Sequence, residues 1–313
     1  MSRPVDRAVG SHTPRIRAGR DSVGPHGRDA VGPFVWLGRR WTVSSGATDL
    51  LRLIEELYQP LLAGTDPGPD DAVATYRLEA PSPSRRGELF CDGRLVTAGR
   101  DPARLFGQLI WSINRHAIDD RPTETVLHSA AAADDHGRVV LLPAAAESGK
   151  TTLVTGLVER GAAYLTDEAA IVDEALDVHG FAKPLSIDKG SWTVLSDHAP
   201  LLDDALAPYM AEQWQVPAHR FGSVVPSGKL SLIVFPDYVA GAPTSLERID
   251  RVHALDLARA STFGTPGRPV PGRQLAHLAR MVTAVPSYTV RSGDLAGACA
   301  AVLQALEDHA DDS

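Results

Sequence analysis

Lysine is scarce in this chain of 313 residues: only Lys150, Lys183, Lys189 and Lys229 occur, and the other 27 basic residues are arginine. Each lysine therefore invites a question about its role. Cysteine is scarcer still. Cys91 and Cys299 cannot build a disulfide framework, and their spacing is that of no metal site. No apolar run approaches eighteen residues and no leader pattern is evident, which excludes a membrane-spanning helix as an expectation and makes a reducing cytoplasm the simplest compartment. Positive charge is not in excess either. With 31 basic against 39 acidic residues the net charge is −8, so the overall balance points to neither nucleic acid nor an anionic membrane as a partner. No internal repeat is present. What remains is an ordinary soluble composition, 43% hydrophobic and 22% charged, in a chain long enough for one large domain or a main domain with a smaller one beside it.

The first thirty residues carry six arginines, scattered Gly and Pro and almost no apolar periodicity. They read as a flexible tail, or as a basic arm that contacts a partner. Order is expected from "PFVWLGRRWTV", one or two strands with a turn at Gly38, followed by a helix in "TDLLRLIEELYQPLL", a strand in "AVATYRLEA" and a hairpin around Asp92-Gly93. Residues 31–100 thus form a small α+β region. The segment "PARLFGQLIWSINRHAID" then predicts a long amphipathic helix joining this region to a larger domain over 101–313. Farther on, "KLSLIVFPDY" predicts a strand, while "SLERIDRVHALDLARAS", "RQLAHLARMVTAV" and "DLAGACAAVLQALEDH" predict helices.

The most informative stretch is "RVVLLPAAAESGKTTLVTGLVERG". An apolar strand runs into a short loop, and a helix follows, expected to begin at Thr151 or Thr152 and to close at Gly161. The loop fits the phosphate-binding pattern G-x-x-x-x-G-K-[ST] at Gly149, Lys150 and Thr151, with Ala144 where the first glycine stands. Such a loop works because consecutive backbone N–H groups and a helix N-terminus converge on an anion, a lysine reaches the outer phosphates, and the next hydroxyl holds magnesium. Ala144 matters if the backbone there needs positive φ. Glu147 places a carboxylate beside the polyphosphate, where it either repels or helps to position a cation. Ser148, Gly149, Lys150, Thr151 and Thr152 complete the expected phosphate contacts. The bland alternative is a tight turn with an exposed lysine.

Phosphoryl transfer to a hydroxyl also needs magnesium held and the acceptor oriented. Asp167 and Glu168 end the next expected strand, "AAYLTDE", at the same sheet edge. One acid is a candidate metal ligand and the other a candidate base, although adjacent acids after a strand also serve as helix caps. His128, after "TVL", is a candidate for contact with phosphate or an acid, or a structural histidine. "FAKPLSIDKGSW" concentrates Lys183 and Lys189 around Pro184 and a Ser-Ile-Asp turn, and either lysine is a candidate to approach the transferred group. Arg220 is a weaker candidate of the same kind.

Taken together, "LHSAAA", "ESGKTTLVTGLVERGAAYLTDEAAIVD" and "FAKPLSID" resemble the HPr kinase/phosphorylase superfamily, a resemblance that covers most of the chain after about residue 100. It implies a mixed-sheet α/β P-loop core like that of phosphoenolpyruvate carboxykinase. It also implies Lys150 on the β- and γ-phosphates, Thr151 with Asp167 and Glu168 at the magnesium site, Asp167 as base, and His128 as the active-site histidine. The expected activity is ATP- and Mg2+-dependent transfer of the γ-phosphoryl group to a hydroxyl of a small molecule or of a serine-containing peptide or protein. The alternative is a nucleotide-binding regulatory protein that recognises a peptide or protein partner. Family precedent permits a homo-oligomer.

Overall fold

In the computed structural model, which describes residues 29–63, 73–119, 121, 124–145, 148–263 and 270–309, strand β1 (Ala30–Trp36) turns back into β2 (Arg39–Ser44) through Leu37 and Gly38. Both turn residues have positive φ, as a two-residue hairpin loop requires. The expected tail lies outside the described residues except for its last two positions. Helix α1 (Thr48–Leu57) buries Leu50, Leu51, Leu53, Ile54 and Leu57 and leads toward β3 (Val73–Glu79), which runs parallel to β2. β4 (Gly87–Cys91) and β5 (Arg94–Gly99) follow as the hairpin expected at Asp92-Gly93. These five strands make one sheet in chain order.

Helix α2 (Pro102–Ile118) starts cleanly because the Asp101 carboxylate accepts from Ala103 N and Arg104 N. It lies on the first sheet. The Tyr76 hydroxyl donates to Ser112 O at 3.0 Å, and Arg39 donates to Asp119 O at 3.1 Å. By packing, then, this helix groups with residues 30–99 as closely as with the chain that follows it.

The second sheet is built from β6 (Thr125–Ala133), β7 (Arg138–Pro143), β8 (Ala163–Thr166), β9 (Ala169–Val172) and β10 (Asp177–Gly180), with three later strands described below. Helix α3 (Lys150–Glu159) connects β7 to β8. A separate two-stranded ladder pairs β11 (Leu185–Asp188) with β12 (Gln213–Val216). β13 (Ser227–Tyr238), β14 (Ser245–Arg248), helices α4 (Arg251–Ala260) and α5 (Gly272–Ala284), β15 (Ser287–Ser292) and helix α6 (Leu295–Asp308) complete the chain. The sheet order is β10-β9-β6-β7-β13-β15-β14, with β8 also on β6 and β10 also on β13. β7, β13 and β15 are mutually parallel, whereas β6 and β14 run antiparallel to their neighbours, so this is a mixed sheet.

β6 and β7 bury both faces, which explains why "RVVLLP" reads as an uninterrupted apolar run. Val140 and Leu142 face a core shared with Val154 and Leu157 of α3 and Val302 of α6. Val139 and Leu141 face a second core with Ala254 and Ala258 of α4 and Leu278 and Met281 of α5. The first sheet joins this body through Trp36, whose indole N–H donates to Gly180 O at 2.8 Å while its ring lies 4.8 Å from that of Phe181.

Two local expectations are corrected. Ser245–Arg248 is a strand on β15, because the helix begins only after Asp250, whose carboxylate accepts from Val252 N and His253 N. Ser186-Ile187-Asp188 is extended strand in β11, paired with Gln213–Gln215 of β12, and is no turn.

Candidate active site

The loop between β7 and α3 has the form its sequence demands at its described ends. Gly149 caps the helix with φ 87° and ψ 9°, a left-handed conformation that glycine adopts without steric cost. The helix begins at Lys150, a residue earlier than expected. Ala144 takes no unusual conformation: among the described residues only Leu37, Asp92 and Leu176 are non-glycines at positive φ. Its amide donates to His128 O at 3.3 Å, which ties the start of the loop to β6. Glu147 lies outside the described residues.

Lys150 is buried, and its ammonium arches back over the loop, donating to Ala145 O and standing 3.5 Å from Ser148 Oγ. Burial holds its pKa below the ordinary lysine value, while the nearby carboxylates of Glu168 and Asp167 act in the opposite sense. Thr155 returns its hydroxyl to Thr151 O, and Thr152 meets Ser191 hydroxyl to hydroxyl at 2.9 Å.

Asp167 and Glu168 form the break between β8 and β9, two strands that both pair with β6. Thr166 shapes the break by accepting from the amides of Glu168 and Ala169. The two acids then diverge. Asp167 is buried with both oxygens engaged. Oδ1 accepts from the Tyr164 hydroxyl at 3.0 Å and from Lys183 at 2.8 Å, while Oδ2 lies 3.4 Å from Thr151 Oγ1 and 3.3 Å from Ser186 N. Glu168 keeps 30% of its side chain exposed, 3.9 Å from the Lys183 ammonium, and burial raises its pKa. Those four donors occupy the lone-pair sites that a carboxylate offers. Asp167, the expected base, is thus enclosed by protein donors, whereas Glu168 keeps the more open carboxylate of the two.

Lys183 is fully buried. Its three N–H donors go to Asp167, Pro184 O at 2.9 Å and Ser186 Oγ at 3.2 Å, so none is left for a phosphate. Lys189 is exposed and paired with Glu212 at 2.7 Å. Arg220 is not brought to the loop: it pairs with Glu56 of α1 at 2.6 Å. It sits near the far end of α3, where Gly222 packs on Val158, roughly 12 Å along the helix axis from Lys150. His128 lies inside β6, opposite Ala169, with its ring 5.4 Å from that of Phe263. Burial above all, then the charge of Lys150, pushes its pKa down to about 4, so the ring is neutral near pH 7.

The first turn of α3 opens on a cleft of about 480 Å³. Its floor is Ser148 to Leu153. Ser186, Asp188, Ser191 and Val194 form one wall, and the ends of β13 and β15 with the start of α6 form the other. A helix N-terminus here favours an anion. Among the described residues no group of three or more His, Cys, Asp or Glu side chains could hold a metal ion by itself. The oxygens of Thr151 and Asp167 are of the kind that suits magnesium, which takes one or two protein oxygens and completes its shell with phosphate and water, and the long Oδ2 contacts of Asp167, 3.3 and 3.4 Å, are the ones a cation there would replace.

Sequence reasoning missed Tyr164 and Ser186, two of the three groups besides Lys183 that hold Asp167. Tyr164 had a signal: a tyrosine three residues before an acid in a run that is otherwise apolar needs a partner for its hydroxyl. It also missed Tyr238 on the far wall.

No helix among the described residues is long and apolar enough to cross a membrane. No family model matches the chain, and no curated protein matches it. Among solved structures it is similar to the Hpr(Ser) kinase/phosphatase from Coxiella burnetii, with a TM-score of 0.29 and 13% sequence identity over 58% of this chain and 98% of that chain. A likeness that loose carries no weight for the activity of this chain.

Proposed function

We propose that this protein is an ATP-dependent kinase that transfers the γ-phosphoryl group to a hydroxyl, on a small molecule or on a serine of a peptide or protein. The single observation that carries the reading is the junction of β7, loop and α3. There Gly149, Lys150 and Thr151 open on a cleft while Thr151 Oγ1 stands 3.4 Å from an Asp167 oxygen. In this reading the α3 amides and Lys150 neutralise the β- and γ-phosphates. Thr151 and Asp167 are the residues that would hold Mg2+, which when bound screens charge on the phosphate oxygens. Glu168, held at a raised pKa by burial, takes the proton of the acceptor hydroxyl as its oxygen bonds to the γ-phosphorus and the bond to the ADP oxygen breaks. Residues 101–313 carry the site, and residues 31–100 brace it. Both cysteines are free, which agrees with a cytoplasmic setting.

A second reading is favoured by one observation: the enclosure of Asp167 by Tyr164, Thr151, Lys183 and Ser186. A carboxylate held that tightly also suits a regulatory protein that binds nucleotide without fast transfer. Calorimetry with Mg-ATP tests what the two readings share. Lys150→Ala is expected to weaken ATP by tenfold or more, and an unchanged affinity would remove both. Incubation with γ-labelled ATP and a panel of alcohols, sugars and serine peptides separates them, since only the kinase labels an acceptor.

A further inference from the structure

The sheet order gives the proposed site two unlike sides. β7, which feeds the loop, lies between β6 and β13. On the β6 side stand Asp167 and Glu168, which break the ladder beside it. On the β13 side the strand ends in Pro236, Asp237 and Tyr238, and the parallel β15 ends beside it at Ser292. In open α/β sheets ligands occupy the crevice beyond the carboxyl ends of such strands.

Tyr238 is 62% exposed, and its hydroxyl makes no hydrogen bond to any described residue. It is also adjacent to the loop: a Cβ placed on Gly149 would lie 3.4 Å from the Tyr238 Cβ. The same cleft is lined by Val290, Leu295, Ala298 and Val194, the last 57% exposed, with the carboxylates of Asp188, Asp237 and Asp294 also on its lining. An exposed aromatic ring and an exposed valine give this cleft apolar surface beside the N-terminus of α3. Flat apolar faces attached to a polyanion are what such a combination accommodates.

We infer that this apolar surface is the nucleobase subsite, with Tyr238 stacking on the base and the nucleotide lying across the strand ends, its base on the β13–β15 side and its γ-phosphate on the β6 side. The inference rests on the nucleoside-triphosphate reading above and adds the direction in which the nucleotide lies and the group that holds its base. The acceptor is then left the Glu168 side of Lys150, since the other side is filled.

Binding of Mg-ATP and of magnesium tripolyphosphate, which lacks base and ribose, is measured by calorimetry on the full chain and on Tyr238→Ala, Tyr238→Phe and Lys150→Ala. Tyr238→Ala is expected to weaken ATP about tenfold, as loss of one base–aromatic stack does, and to leave tripolyphosphate unchanged. Tyr238→Phe is expected to retain ATP affinity, and Lys150→Ala to weaken both ligands. Equal ATP affinity in Tyr238→Ala and wild type would overturn the base subsite while the Lys150-dependent triphosphate site stands. So would an equal loss of both ligands in Tyr238→Ala. If the wild-type chain bound neither ligand, the nucleotide reading and the subsite would fall together.

Discussion

The ammonium of Lys183 lies 2.8 Å from Oδ1 of Asp167, with both side chains sealed from solvent. Two charges so buried are tolerable only as a pair with their remaining hydrogen bonds satisfied, and Tyr164, Ser186 and Pro184 O complete that set. Lys183→Met leaves the Asp167 charge unpaired in the interior and is expected to lower unfolding free energy by about 3–5 kcal/mol, read from the urea midpoint. Lys183→Met combined with Asp167→Asn removes both charges and is expected to recover more than half of that loss. Additive losses would show that the pair does not act as a unit.

The same pair changes how Asp167 is to be tested. Asp167→Asn alone strands Lys183, so any fall in turnover mixes unfolding with chemistry. Glu168→Gln avoids this, because Glu168 is half-buried and its contact with Lys183 is long, at 3.9 Å. With the acceptor found by the labelling screen, Glu168→Gln is expected to keep or slightly raise the wild-type urea midpoint and to keep ATP affinity while losing about 10²- to 10⁴-fold in kcat, the usual contribution of a general base. Turnover at the wild-type rate would show that Glu168 takes no proton.

Part of the arrangement around the candidate site was legible in the sequence. Gly149, Lys150 and Thr151 announced a glycine-capped turn into a helix because such a turn is a local device, specified by consecutive residues. Asp167 was legible as an acid at a strand end, but its enclosure was not, since Lys183 is sixteen residues away and reaches it only through the tertiary fold. Scarcity of lysine drew attention to Lys183 and then misled, because a lysine suggests a solvent-facing charge and nothing local announces a buried one. The error at Ser245–Arg248 has another origin: "SLERIDRVHALDLARAS" has helical spacing throughout, and only Asp250, an N-cap, marks where strand gives way to helix. Tyr238 was legible only as the end of a predicted strand, because one aromatic residue there carries no period of its own.

Gly149 tests the loop directly. At φ 87° any L-residue is strained, and a Cβ there would meet only Tyr238 Cβ at 3.4 Å, an ordinary contact. The penalty for Gly149→Ala is therefore backbone strain, about 1–2 kcal/mol. The cheapest relief is to re-aim the first amides of α3. ATP affinity is expected to fall at least fivefold by calorimetry, with a small drop in the urea midpoint. A normal affinity would mean that those amides do not meet the phosphates.

His128 makes the apo protein sensitive to mild acid. Its pKa falls to about 4 in the fold, through burial and the nearby Lys150 and Lys183 charges acting against that of Asp167, whereas the unfolded chain returns it to about 6.5. Between those values the unfolded state binds the extra proton, so this group's contribution is complete above about pH 6.5 and is lost as pH falls toward 4. The ceiling is about 3 kcal/mol, reduced because the ring is partly exposed and screened. Glu168 acts with the opposite sign: its raised pKa favours the fold at low pH, and that contribution is lost as pH rises through the folded value. The wild-type profile therefore carries both terms, and the difference between wild type and His128→Gln reports the histidine. Urea unfolding of the magnesium- and nucleotide-free protein at intervals from pH 7 to 4 should show the variant losing less stability than wild type over that range. Parallel profiles would mean that His128 protonates as easily in the fold as outside it, and that its ring is not enclosed beside Lys150.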